Sequence, residues 1–346
     1  MKRTWYLAAS IALTVIIGFL VYRTVPDWGA AWRVMLGGSP AWFLAALATG
    51  ILHTVLRSLR WGKLLSPVKA GIAFGNLFSL TLVKYVVNVI PPRVGEVAAS
   101  VALARKERIP AFSVIAASVF ERVLDSATVL LLFGIYLVFM AGRHMPDSTR
   151  GREIFETIRM YSLVGMAVLA LVLAALLLLL RSRRWHSWTP AVIRRYAVSF
   201  VEGFRALQSR AAMAEVAALS FAIWLVIGVH LWSLVRAYVP QFPFSGSLLI
   251  LALTVVGVAI PTPGGVGGYQ LFMSITLVYF FGHYLPPHDP QSQAAGISNG
   301  CYIVSMGPVL ALGLFFLHRE GLSFGQLSKI SSGDESAGGD SGPPGY

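Results

Sequence analysis

Two long apolar segments of this chain are each cut at the centre by helix-breaking residues, and this limits its possible folds more than any other feature. The first, residues 72–104, is interrupted by Pro91-Pro92-Arg93-Val94-Gly95-Glu96, and the second, residues 247–281, by Pro261-Thr262-Pro263-Gly264-Gly265-Val266-Gly267-Gly268. Proline removes a backbone donor and ends a helix; glycine takes positive φ and admits another backbone closely. In hydrocarbon every unpaired amide or carbonyl is costly, so irregular backbone at that depth survives only where protein or a wet cavity surrounds it.

Around these segments lie uninterrupted apolar runs of spanning length at residues 5–22, 42–56, 111–140, 160–180, 212–235 and 294–317. Hydrophobic residues make up 56% of the chain and charged residues 12%, about half the charged share of a soluble domain. The sequence therefore predicts an all-α polytopic membrane protein. The first run is read as a span and not a signal peptide, because Val21-Tyr22-Arg23 offers no small-residue cleavage site. The second run ends in Arg57, Arg60, Trp61 and Lys63, which are expected to snorkel into a headgroup layer. Residues 185–210 alternate apolar and basic positions at helical spacing and read as an amphipathic helix on the cytoplasmic membrane surface. Residues 331–346 are Ser, Gly and Asp without apolar period and read as a disordered cytoplasmic tail, leaving residues 1–330 as a single transmembrane domain.

The order span, span, broken segment, span occurs twice, over residues 5–140 and again over 160–317. If each broken segment re-enters and leaves on its own side, each half crosses three times, and the second half is inverted relative to the first. Charge supports that arrangement. With the N-terminus inside, 18 Lys or Arg fall on the cytoplasmic side against seven outside, leaving Lys84, Arg93 and Arg122 within membrane segments. Both termini are then cytoplasmic in a bacterial-type inner membrane. The net charge of +13 is accounted for by cytoplasmic loops, with no nucleic-acid partner implied. Paired interrupted segments in inverted halves point to a transport site.

Six charges are placed within the membrane: Lys84, Arg93, Glu96, Glu121, Arg122 and Asp125. Glu121 and Asp125, four apart, share a helical face, with Arg122 turned about 100° away. Pairing of Arg93 with Glu121 or Asp125 could be a structural ion network, a lining for substrate, or both. Asn88 adds a polar side chain beside the first break. At the second, Pro261, Pro263, Gly264, Gly265, Gly267, Gly268 and Gln270 surround a helix restart whose free N–H groups suit an anion, while close helix packing is the alternative use for so many glycines. No cofactor, metal or catalytic group is expected: the seven histidines lack ligand spacing, Cys301 sits alone in an apolar run, and no P-loop is present.

Together, Arg57-Ser58-Leu59-Arg60-Trp61, Pro91 to Glu96, Glu121-Arg122-Val123-Leu124-Asp125 and Pro261 to Gly267 resemble the lysylphosphatidylglycerol synthase transmembrane region, also called the flippase-like domain family. The likeness runs from the first span to about residue 317. In the two-domain synthases of that family a soluble aminoacyltransferase domain follows; these residues have no counterpart of it, so the resemblance implies the lipid-translocating part without lysine transfer. The expectation is a non-enzymatic, flippase-like transporter of an amphiphilic lipid or glycolipid with an anionic headgroup. A scaffold for a partner lipid-modifying synthase and an intramembrane lipid-modifying enzyme are the alternatives. Membrane lipids are the expected ligands.

Overall fold

A computed structural model of the chain describes residues 2–89, 94–140, 142, 149–181 and 209–321. Every regular element among them is helical: α1 (Lys2–Thr24), α2 (Trp28–Leu36), α3 (Pro40–Leu65), α4 (Phe74–Val87), α5 (Val94–Glu107), α6 (Ala111–Phe139), α7 (Thr149–Arg181), α8 (Arg210–Arg236), α9 (Phe244–Ala259), α10 (Gly268–Phe280) and α11 (Pro290–Arg319), with short 3-10 turns at Pro263–Gly265 and Gly282–Tyr284. Of the surface helix expected at 185–210 only residues 209 and 210 are described, at the start of α8, and the tail expected at 331–346 lies outside the described residues.

α3, α6, α8 and α11 are each long and apolar enough to cross a membrane, and α1 and α2, set at 98° to each other, make a fifth candidate if taken as one span. No more than 28% of the apolar window of any of those four is buried inside the protein. The outward faces carry residues such as Phe19, Leu131, Phe139, Leu314 and Phe315. Apolar surface of that extent is suited to lipid. The chain is thus a multi-pass membrane protein.

Helix ends explain the breaks that hydropathy missed. α2 was not foreseen; it exists because Asp27 accepts a hydrogen bond from the Ala30 N–H at 2.9 Å and caps a helix that then packs along α11. α11 begins in the same way, with Asp289 accepting from the Ser292 N–H and Pro290 in its first turn. α3 runs nine residues past the end of the apolar run at residue 56, to Leu65.

The broken segments are two helical hairpins, α4 with α5 and α9 with α10. Each folds back on glycine. A Cβ on Gly95 would stand 2.3 Å from the Lys84 carbonyl oxygen, and one on Gly268 would stand 2.1 Å from that of Gly257. The remaining packing has a regular pattern: α3 lies along α8, α4 along α11, α9 along α6, α5 along α6 and α10 along α11.

Where α5 stops, beyond the spanning segments, Glu107 accepts hydrogen bonds from Lys69 Nζ at 2.6 Å and Asn76 Nδ2 at 2.6 Å. Nearby Glu320, just after α11, accepts from Ser79 at 2.9 Å and pairs with Lys106. These contacts stitch the first hairpin to its neighbours. The Lys69 and Asn76 bonds hold the Glu107 carboxyl below its usual value, so their contribution is present above that value and lost as pH falls through the lowered one. The stability difference between wild type and Glu107→Gln, measured by thermal unfolding in detergent, is therefore expected to be largest near neutrality and to shrink below about pH 4. Gly268→Ala and Gly95→Ala should lower the unfolding midpoint in the same assay, whereas Gly75→Ala, with open space around its Cβ position, should not.

Candidate functional site

A buried layer of charge lies where α3, α4, α6 and α8 meet. Asp125 of α6 accepts from Arg57 Nη1 at 2.9 Å and from Arg60 Nη2 at 2.8 Å, both on α3, and from Trp224 Nε1 of α8 at 3.0 Å. Arg60 also reaches Glu121 at 3.5 Å and donates to Ser220 Oγ of α8 at 3.0 Å. Lys84 of α4 stands 3.8 Å from the second Glu121 oxygen and 5.3 Å from the centroid of the Trp61 ring. Arg57 stacks on Trp224 at 5.5 Å. Arg60 is fully buried, and Glu121 and Asp125 nearly so. At the rim, half-exposed Arg122 pairs with Glu96 at 3.1 Å and Asp125 at 3.6 Å.

The spacing makes the layer possible. Carboxylates at i and i+4 on α6 face guanidiniums at i and i+3 on α3, so one helix face presents only acids and the other only bases. Neither group could be left alone in hydrocarbon. The expectation that Arg57 and Arg60 snorkel to headgroups is overturned: α3 continues past them, and they turn inward because unpaired carboxylates face them. Hydropathy ended the span at residue 56 for the very reason that these charges are inside it. The signal that could have found them is the matching register of the two pairs.

Counting the buried members, three cations (Arg57, Arg60, Lys84) face two carboxylates (Glu121, Asp125), and the rim pair adds one of each. By formal count, with every side chain ionised, the layer among the described residues has one more cation than carboxylate. It also keeps unused polar atoms: Arg57 Nε, Arg60 Nε and Glu121 Oε2 are buried without a hydrogen-bond partner among those residues. Of the expected site residues, Lys84, Glu96, Glu121, Arg122 and Asp125 are brought together here, and Arg93 lies outside the described residues. Asn88 serves the backbone instead, where its side chain accepts the Gly95 N–H at 2.8 Å and closes the hairpin.

The second break is built differently. Gly264, Gly265 and Gly267 have φ of 63°, 74° and 85°, where only glycine is unstrained. Gln270 Oε1 accepts the Gly267 N–H at 2.8 Å, and Tyr302 donates to the Gly264 carbonyl at 2.8 Å, so part of the backbone polarity expected for a ligand is used internally. Pro261 and Pro263 flank Thr262, whose buried Oγ1 lacks a hydrogen-bond partner among the described residues. Gly268 serves the crossing with Gly257, the packing use foreseen for some of these glycines. The two breaks approach each other: a Cβ at Gly264 would lie 3.8 Å from Val89 at the end of the first hairpin's leading arm. Between the halves, an apolar cleft is lined by Ala46, Gly50, Phe78, Leu82, His230 and Pro308. His230 is fixed there by the Ala46 carbonyl at 2.8 Å and Ser305 Oγ at 3.0 Å.

Removing one partner of a buried ion pair leaves the others uncompensated. Asp125→Asn is expected to cost about 3–5 kcal/mol, and Arg122→Ala at the exposed rim no more than about 1 kcal/mol. Chemical unfolding of the purified variants checks both.

Comparison with known proteins agrees with this architecture. The family model of the lysylphosphatidylglycerol synthase TM region matches residues 7–313. The UPF0104 membrane protein MJ1595 of Methanocaldococcus jannaschii is 29% identical over 109 residues, 31% of this chain and 32% of that relative, so the match spans about a third of either length. With a match across nearly nine-tenths of its length, this multi-pass membrane protein belongs to the lysylphosphatidylglycerol synthase transmembrane-region family, whose members are related to lipid handling.

Proposed function

We propose that the protein moves an amphiphilic lipid with an anionic headgroup between the leaflets of the inner membrane, its two halves related as inverted repeats and both termini in the cytoplasm. The observation that carries this reading is the excess cation in the buried layer. A protein that only needed its helices fastened would balance that layer, whereas a site for a phosphate-bearing headgroup needs positive charge to spare and Arg forks to engage it. Lys84 and Arg93 take the headgroup, with Arg122 at the entrance. Glu96, Glu121 and Asp125 hold the cations in place between transport events.

The packing pattern supports the repeat. Exchanging α3, α4, α5 and α6 for α8, α9, α10 and α11 turns the α4–α5 contact into α9–α10, α5–α6 into α10–α11, α3–α4 into α8–α9, α4–α11 into α9–α6 and α3–α11 into α8–α6, and each of these pairs packs. The α3–α8 contact maps onto itself, as a contact at a two-fold axis would. In this reading each half crosses three times, so the second is inverted relative to the first and the hairpins enter from opposite faces. Rocking of one half on the other about the α3–α8 seam alternates access, and the apolar cleft beside His230 accommodates hydrocarbon while the headgroup passes.

Leaflet exchange of labelled phosphatidylglycerol, phosphatidylcholine and a polyprenyl phosphate in proteoliposomes tests the reading. Wild type is expected to exchange one anionic class, and Arg93→Ala, Lys84→Gln and Gly265→Leu, each checked for intact folding, to reduce that exchange at least tenfold. Absence of exchange above protein-free vesicles, with and without a proton gradient, refutes autonomous transport.

A further inference from the structure

At the other end of α3 from the charge layer, a second cation is held with no counter-ion among the described residues. Arg236 closes α8, and its guanidinium carbon stands 4.7 Å from the centroid of the Trp42 ring and 5.0 Å from that of Trp232. The two indoles meet edge to face at 5.3 Å. Trp232 is fixed in turn, donating from Nε1 to the Phe242 carbonyl at 2.9 Å and meeting the Phe244 ring at 6.1 Å. No carboxylate among the described residues lies within ion-pairing distance of Arg236, and its Nε is buried without a hydrogen-bond partner. By contrast, Arg33 in the neighbouring helix α2 has Asp27 at 3.8 Å.

Two further features make this end electropositive. α3 and α9 both begin here, α3 with Trp42 in its first turn and α9 with Phe244 against Trp232, and neither N-cap residue, Ser39 or Pro243, provides a side-chain cap. Their first N–H groups add partial positive charge. A guanidinium held by aromatic rings is oriented without being neutralised, and its remaining N–H edge suits the paired oxygens of a phosphate.

Depth identifies the ligand. Trp42 and Arg57 are 15 residues apart on α3, about 22 Å at helical rise, and Trp42 to Leu65 is about 34 Å, enough to cross a hydrocarbon core of about 30 Å. Trp42, Trp232 and Arg236 therefore sit at headgroup level, where tryptophan concentrates. We propose that Arg236, clamped by Trp42 and Trp232, binds the phosphate of an anionic phospholipid in the leaflet opposite the one that the charge layer serves. The proposal rests on the translocation reading for its role, as the second station of the moving headgroup, and on the local geometry for its chemistry.

Native mass spectrometry of the full chain tests this, with phosphatidylglycerol, a diacylglycerol of the same tails, and inorganic phosphate as competitor. Arg236→Gln is expected to remove one tightly bound phosphatidylglycerol and weaken its binding about tenfold, leaving diacylglycerol binding unchanged. Arg236→Lys, which keeps the charge but not the planar fork, should fall between, and serves alone if the Gln variant does not fold. Unchanged phosphatidylglycerol binding in Arg236→Gln at wild-type thermal stability overturns the proposal. So does equal loss of both lipids, which would mark Arg236 as a staple between α3 and α8. Displacement of phosphatidylglycerol by millimolar inorganic phosphate overturns the lipid source in favour of free phosphate. The two readings separate: if wild type exchanges no lipid yet Arg236→Gln sheds phosphatidylglycerol, the site stands and transport falls, and the converse pair of results removes the site alone.

Discussion

Asp125 is the point at which the bundle is fastened. One carboxylate, nearly fully buried, accepts from two guanidiniums of α3 and an indole of α8, with Arg122 at its edge. In a low-dielectric interior such a group is tolerable only when its acceptor sites are filled, so the positions of α3 and α8 relative to α6 are dictated by it. The neighbouring residues follow from the same demand. Glu121 takes the remaining reach of Arg60 and draws Lys84 towards the layer from α4. Apolar packing alone would hold such helices at many rotations, because lipid is as apolar as their flanks; charge register selects one.

The two hairpins solve the complementary problem of irregular backbone at depth. At the first, Asn88 takes the Gly95 N–H; at the second, Gln270 takes the Gly267 N–H and Tyr302 supports the Gly264 carbonyl. A polar side chain near each turn therefore replaces water. Glycine completes each turn by letting the arms cross at backbone distance, at Gly95 in one and at Gly257 with Gly268 in the other. The two hairpins come near each other at Val89 and Gly264.

The parts of the structure legible in the sequence were those governed by hydropathy over long windows. Spans at 111–140, 212–235 and 294–317 agree with α6, α8 and α11 to within a few residues, because each stays apolar over a long window, despite the three charges of α6. The breaks were legible as well, since Pro and Gly act locally. Two things were not. α2 depends on one Asp27 cap and on packing against α11, a partner more than 250 residues away in the chain. The inward turn of Arg57 and Arg60 depends on carboxylates some 60 residues further on, and hydropathy scores an arginine by its own charge without regard to what faces it. The ion layer was therefore read with its acids inside the membrane and two of its bases, Arg57 and Arg60, in the headgroup layer.

The division of donors around Asp125 also bears on how the chain is made. Both arginines precede α6 in the sequence, so the two acids of α6 have their counter-ions on a helix that is made before it. The contributions of α8, made about a hundred residues later, are Ser220 and Trp224, both neutral. The carboxylates of the first half thus find their counter-ions within that half, and the second half completes the layer without having to carry a charge of its own into that buried position.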